Sequence, residues 1–180
     1  PDVQNLVRKQ NVLVSELVKK VKSSLDSNEE GTGLKLLQAK RGLPKHPQVM
    51  KIFQEPGTLK LSQSTESDYI RDKKLHEVDD DLYFSIDEKS HVIDITEKGR
   101  SVLAPDDPET FVIPDIGELL LEIDENSSLD DRAKEIEKDK AHQFHAQRSG
   151  QIHNFNQLLR AYTMYEKDVE YVVQDGKVLI

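Results

Sequence analysis

From Leu6 onward the apolar positions fall at Leu6, Val7, Leu13, Val14, Leu17, Val18, Val21 and Leu25, with Lys and Glu between them. Recurrence at three and four residues places these side chains on one face of a helix, so the pattern predicts an amphipathic helix of about six turns. The stretch DSNEEGTG (26–33) ends it. LKLLQAKRG (34–42) predicts a second helix, stopped by Gly42 and Pro44 in the order expected at a C-terminus. HPQVMKIFQEPG (46–57) predicts a short helix with Pro47 in its first turn, where the missing N–H has no partner to lose. Residues 58–76, carrying Leu59, Leu61, Tyr69, Ile70 and Leu75, predict a further helix.

The texture then changes. LYFSIDEKSHVIDIT (82–96) holds two β-branched and aromatic runs around Asp87-Glu88-Lys89-Ser90, which predicts a hairpin. Thr96 followed by Glu97 predicts an N-cap and a short helix through Leu103. APDDPET (104–110) reads as a loop, FVIP (111–114) as a brief extended piece, and Ile116 to Ile123 as a helical turn or two. From Leu129 to Tyr165 no Pro occurs, and apolar residues again fall at helical spacing. Unbroken, that helix would be about 55 Å long at 1.5 Å per residue. Its first half, DDRAKEIEKDKAHQ, is nearly all charge and reads as a solvated strut, with Gly150 as a point where the helix could break. At the C-terminus Tyr171–Val173 and Val178–Ile180 flank Asp175-Gly176, and Asp-Gly between alternating hydrophobics predicts a type I′ hairpin. The expected class is α+β: a mostly helical body with a small antiparallel hairpin and a second two-stranded element.

Composition narrows this. Hydrophobic residues make up 36% and charged residues 33%, so the core must be modest and much of the chain must face water. The absence of Cys removes disulfides, thiolate catalysis and Cys-based zinc sites together. A net charge of −9 argues against nucleic acid, whose binding needs cations to replace counterions. No stretch approaches the roughly 18 apolar residues of a membrane span, and no signal peptide opens the chain. The chain begins at Pro1 without an initiator Met, and neither end is expected to be a natural one.

No phosphate-cradling glycine loop is present; Gly31 and Gly33 lie in EEGTGLK, which no strand precedes. His142, His145 and His153 fall roughly on one helical face, the arrangement shared metal ligation would need. His153, however, would lie about 12 Å along the axis from His145, too far for a common ion. Surface histidines and no metal are the expectation. The acidic clusters Asp79-Asp80-Asp81 and Glu122, Asp124, Glu125 read as solvated faces. No Ser sits in a nucleophile elbow, and no catalytic residue is expected.

Two stretches carry a resemblance. IHNFNQLLRAYTMYEKDVEYVVQDGKVLI (152–180) resembles a segment of SecA, the ATPase motor of bacterial preprotein translocation, in which the strand after D-G-x-V runs on into V-D-E-x-T-G-R. YFSIDEKSHVIDITEKG (83–99) is similar to that family's F-x-x-D-E-K-x-x-x-x-x-L-T-x-x-G signature. The resemblance implies a preprotein cross-linking domain over 1–165, and a truncated stem over 166–180 leading back to the first nucleotide-binding domain. Residues 169–174 would be one stem strand, with a partner ahead of Pro1. Residues 34–76 resemble a helical insert of some bacterial lineages.

In the family this domain swings between a helical wing and the second motor domain, opening or closing a clamp around the translocating chain. The implied partners are preproteins, signal peptides and, through the parent, the Sec translocon channel, with no nucleic acid and no direct membrane span. ATP and Mg belong to the parent, and no cofactor is implied for this chain. The implied location is cytoplasmic, with the parent peripherally associated with the inner face of the bacterial plasma membrane.

A clamp for unrelated sequences reads main chain, and an exposed strand edge does that through backbone hydrogen bonds. Tyr171, Val172 and Val173 are the candidate peptide-binding residues, Asp79–Asp81 the candidate for steering a positive signal-peptide end, and Gly150 and Asp175-Gly176 the candidate hinges. Two alternatives stand beside this reading: a metal-dependent hydrolase using His142, His145 and an acidic cluster, and a helical scaffold whose segment 34–76 recruits another protein.

Overall fold

A computed structural model describes residues 2–27 and 29–180. Pro1 and Asn28 lie outside the described residues; the expected junction to a strand ahead of Pro1 and one residue of the break at 26–33 lie there with them. Helix α1 (Asp2–Ser24) buries Val3, Leu6, Gln10, Val14, Leu17, Val18 and Val21, the one stripe its periodicity offers. Helix α2 (Thr32–Gly42) packs along it, with Leu36, Leu37 and Ala39 fully buried. The two helices approach closely where α2 ends: a Cβ on Gly42 would stand 2.9 Å from Val14 Cγ2.

Helix α3 (Pro47–Ile52) starts at Pro47 as expected, capped by the His46 Nδ1, which accepts the Gln48 N–H at 3.1 Å. The single helix expected over 58–76 is instead two, α4 (Thr58–Arg71) and α5 (Leu75–Asp79). Lys73 adopts the left-handed region at φ 56°, the Lys74 N–H reaches back to the Tyr69 carbonyl, and the Lys73 N–H to that of Ile70. This is a Schellman closure with Lys where Gly or Asn is usual. Redirecting the chain there buries Val78 and brings Asp79 against Arg41, which donates to it at 2.7 and 2.9 Å.

Strands β1 (Phe84–Asp87) and β2 (Val92–Ile95) form the expected hairpin, with Phe84 opposite Ile95 and Ile86 opposite Ile93. Phe84, Ile86 and Ile93 enter the core beside α1 and α2. Buried Gln10 ties the layers together. Its amide nitrogen donates to the carbonyls of Gly42 (3.2 Å) and Phe84 (2.6 Å), and its oxygen accepts the Tyr83 N–H (2.9 Å). Helix α6 (Glu97–Leu103) begins at the predicted Thr96 cap. It tucks so tightly under the hairpin that a Cβ on Gly99 would lie 1.9 Å from the Tyr83 carbonyl oxygen.

The extended piece expected at 111–114 begins one residue late, at Val112. Phe111 closes a 3-10 turn (Pro108–Phe111) and sets its ring edge-on to Phe155 at 5.3 Å. Helix α7 (Ile116–Glu125) is capped by Asp115 and lies on the first half of α8 (Asp131–Thr163). Helix α8 runs through Gly150 without a break, so the hinge expected there is not a helix end. The charge-rich first half leaves the body, and the second half returns Phe155, Leu159 and Met164 to the core. Strands β3 (Val172–Gln174) and β4 (Lys177–Leu179) close the chain as a second antiparallel ribbon. The fold is α+β, helices with two small two-stranded sheets.

Candidate functional site

Helix α8 ends when the Met164 and Tyr165 N–H groups both fold back on the Arg160 carbonyl, at 2.8 and 3.2 Å. A tight neck follows. The Val169 and Glu170 N–H groups donate to the Glu166 carbonyl, Asp168 takes φ 69°, and its N–H donates to the Tyr171 carbonyl at 2.6 Å. The Glu170 carboxylate closes the loop by accepting the Glu166 N–H at 2.7 Å. Lys45, in the α2–α3 connection, holds this neck from the body. Its Nζ donates to the Met164 carbonyl at 2.8 Å and stands 3.7 and 3.8 Å from the Glu166 and Glu170 carboxylates.

Beyond the neck the ribbon stands clear. Every residue of β3 and β4 is exposed. The pairs are Val172 with Leu179, Val173 with Val178 and Gln174 with Lys177. Asp175 and Gly176 both have positive φ, 51° and 74°, the turn that the Asp-Gly pair predicts. Alternation puts Val172 and Leu179 on one face and Val173 and Val178 on the other, so neither face is the polar one. Along each outer edge, alternate residues turn their N–H and C=O outward. Such an edge is a template for another extended chain.

The candidate residues divide here. Val172 and Val173 lie on β3, but the ladder starts three residues later than the strand expected at 169–174, because Val169 and Glu170 turn back onto the Glu166 carbonyl. Tyr171 belongs to the neck, half-buried and bridged to Lys167, because its carbonyl is taken by Asp168. Of the acidic run, Asp79 is occupied by Arg41 and Asp81 accepts from Gln38; the hydrogen bonds that Arg41 donates to Asp79 raise the Arg41 pKa above its ordinary value. Two of the three steering carboxylates are therefore engaged in holding α5 to α2.

His142, His145 and His153 all lie on α8, and among the described residues no group of three His, Cys, Asp or Glu is arranged to hold a metal ion. The metal-dependent hydrolase alternative has no assembled site among them. No helix of the described residues is long and apolar enough to cross a membrane.

Sequence reasoning missed Lys45 and Gln10. The signal for Gln10 was present, one amide on a stripe that is otherwise apolar from Val3 to Val21. Lys45 gives none beyond its place between Pro44 and Pro47, which stiffen the connection.

A helical body thus carries, on a braced neck, a two-stranded β-ribbon whose outer edges no other described strand covers. The family model described as the SecA preprotein cross-linking domain matches residues 63–180. "Protein translocase subunit SecA" of Chloroherpeton thalassium is 42% identical over 191 residues, covering 100% of this chain and 18% of the relative. The proteins of the same name from Chlorobium phaeobacteroides and Chlorobaculum tepidum are 43% and 40% identical over 187 residues, with the same coverage. No solved structure matches the chain. The chain belongs to the SecA family. It spans 18% of the length of the curated relatives it matches.

Proposed function

We propose that this chain is the preprotein-binding and clamp module of a SecA motor, which couples ATP hydrolysis to protein export through the Sec translocon. In this reading the module performs no chemistry; ATP and Mg act elsewhere in the parent, a cytoplasmic protein peripheral to the plasma membrane. Residues 1–165 are the body and 166–180 the stem. Residues 34–76 are a lineage-specific layer in this reading; the matched family region begins inside it, at residue 63, and the curated relatives align over the whole chain. That layer supplies Lys45, the brace of the neck.

One observation carries the reading: β3 offers Val172 and Val173 on an edge that no described strand covers, and Val173 is 48% exposed. An extended preprotein adds to that edge by main-chain hydrogen bonds, with the valines and Tyr171 supplying sequence-tolerant apolar contact. Because the neck is held by one lysine and a short turn, it is where the ribbon pivots against the body. Gly176 serves the turn.

The test is a photocrosslinking amino acid placed at Val172, Val173 or Phe144 of the parent motor during transport of a stalled preprotein. Adducts are expected at 172 and 173 and not at 144. Val173→Pro, which deletes the backbone donor, is expected to suppress the adduct at 172 while Val173→Ala preserves it. Equal labelling at all three sites, or indifference to Pro, would refute strand addition.

A further inference from the structure

Residues 105–140, from the 3-10 turn through α7 to the first third of α8, carry 13 Asp and Glu against four Lys and Arg, a net charge of −9. The whole chain is also −9, so the rest balances to zero and the molecule's excess charge resides in this arm. Three of the four cations are consumed inside it. Lys134 donates to the Asp124 carbonyl at 2.8 Å, Lys138 pairs with the Asp124 carboxylate at 2.5 Å, and Lys140 pairs with Glu137 at 3.1 Å. Among the described residues no cation lies within ion-pair distance of Glu118, Glu122, Glu125 or Glu135.

The arm is also unfinished as a piece of packing. Helix α7 has five apolar side chains in ten residues, yet none is buried. Ile116, Leu119, Leu120 and Ile123, at helical spacing toward α8, are only half-covered, since two helices cannot enclose a side chain from all sides. Leu121 is 57% exposed and Ile113 48% exposed. On α7, Leu121 lies one turn from Glu118 and Glu125, with Glu122 beside it, so the outer apolar position sits inside a carboxylate fence.

We infer that the arm formed by α7 and the first half of α8 docks a third helix: a cationic amphipathic helix of a protein partner, its apolar stripe on the α7–α8 seam and its Lys or Arg against Glu118, Glu122 and Glu125. A helix completes the packing that two helices leave open, in the helix-in-groove mode. The charge selects its sign. Anionic lipid headgroups and nucleic acid are repelled by the same −9 that attracts a basic helix. The surface lies apart from the β3 edge and reads helical amphipathicity, whereas the ribbon reads extended backbone.

The test uses the isotopically labelled 180-residue chain and three synthetic Lys/Leu peptides of identical composition, each about 18 residues or five helical turns. One is amphipathic, one has its lysines grouped at one end, and one is scrambled. The amphipathic isomer is expected to shift amides of 111–145, gain helicity, and bind about tenfold tighter than either isomer. Affinity is expected to fall about tenfold when Glu118, Glu122 and Glu125 are all changed to Gln, and to weaken between about 0.05 and 0.3 M salt. Should the triple variant lose its fold, the salt series and Leu121→Ala give the same reading on intact protein. Equal binding of the three isomers, preference for the end-grouped isomer, shifts outside the arm, or no loss in the Gln variant would overturn the inference. Binding of phosphatidylglycerol vesicles, or dimerisation through the arm without peptide, would overturn it as well.

Discussion

Phe84 and Phe144 are the same residue in two kinds of neighbourhood. Phe84 is fully buried between α1, α2 and the first hairpin; Phe144 stands on α8 at 44% exposure under the Arg148 guanidinium. The contrast extends to whole elements. Helix α1 buries eight residues, and α7, with an apolar face just as clean, buries none. An amphipathic pattern states that a face wants covering but not what covers it. In the body, α2, α3, α6 and the second half of α8 all converge on α1, so its apolar stripe is covered from several sides. In the arm one helix lies on one helix, and the carboxylates around the seam keep it solvated while leaving it receptive.

The comparison can be broken at its extremes. Phe84→Ala is expected to cost about 3–5 kcal/mol of unfolding free energy in urea melts, and Phe144→Ala about 1 kcal/mol or less, because only the first opens a cavity. Similar losses at both sites would mean the arm is as tightly built as the body. Gln10→Ala comes next, at about 2–4 kcal/mol, since it strands the Gly42 and Phe84 carbonyls and the Tyr83 N–H away from water. Hydrogen exchange is expected to accelerate at β1 and the end of α2 together in that variant; acceleration confined to α1 would show that the amide does not bridge the layers.

A smaller effect depends on pH. Desolvation lowers the His46 pKa, and its unprotonated Nδ1 caps α3. A pKa depressed in the fold means that the unfolded chain binds the proton more readily. The cap's contribution is therefore complete above the ordinary histidine value of about 6.5 and is lost as pH falls below it. Melting temperature is expected to drop on acidification from about pH 7.5 to 5.5, with the His46→Asn variant showing a shallower drop. An unchanged slope in that variant would assign the pH dependence to other groups. Least of all, Leu121→Ala is expected to change stability by under about 0.5 kcal/mol, as an exposed position away from special backbone. A loss beyond about 1 kcal/mol would place Leu121 in a core and remove it from the docking face.

Legibility followed the range of the forces. The helices over 2–24, 32–42 and 131–163, the hairpin at 84–95, the Thr96 cap and the Asp175-Gly176 turn were all readable, because periodicity, caps and positive φ are properties of a few consecutive residues. Lys73 in the left-handed region was not readable. Its strain is repaid by Val78 and Asp79 reaching α2, residues it does not touch in sequence. Tyr171 read as a strand residue by composition, yet the neck claimed its carbonyl, and the strand expected from residue 169 begins at Val172. At the ribbon, the strand position of Val172 and Val173 was legible and the brace at Lys45 was not, since that contact spans 119 residues.

By itself the sequence determined which segments coil, which pair and where the chain turns, because those choices rest on local backbone preferences and on the spacing of apolar side chains. Only the tertiary structure decided which apolar faces were satisfied: α1 enclosed by α2, α3, α6 and α8, and α7 covered by α8. Burial is a property of how many elements converge on a point, and no window of consecutive residues contains that number.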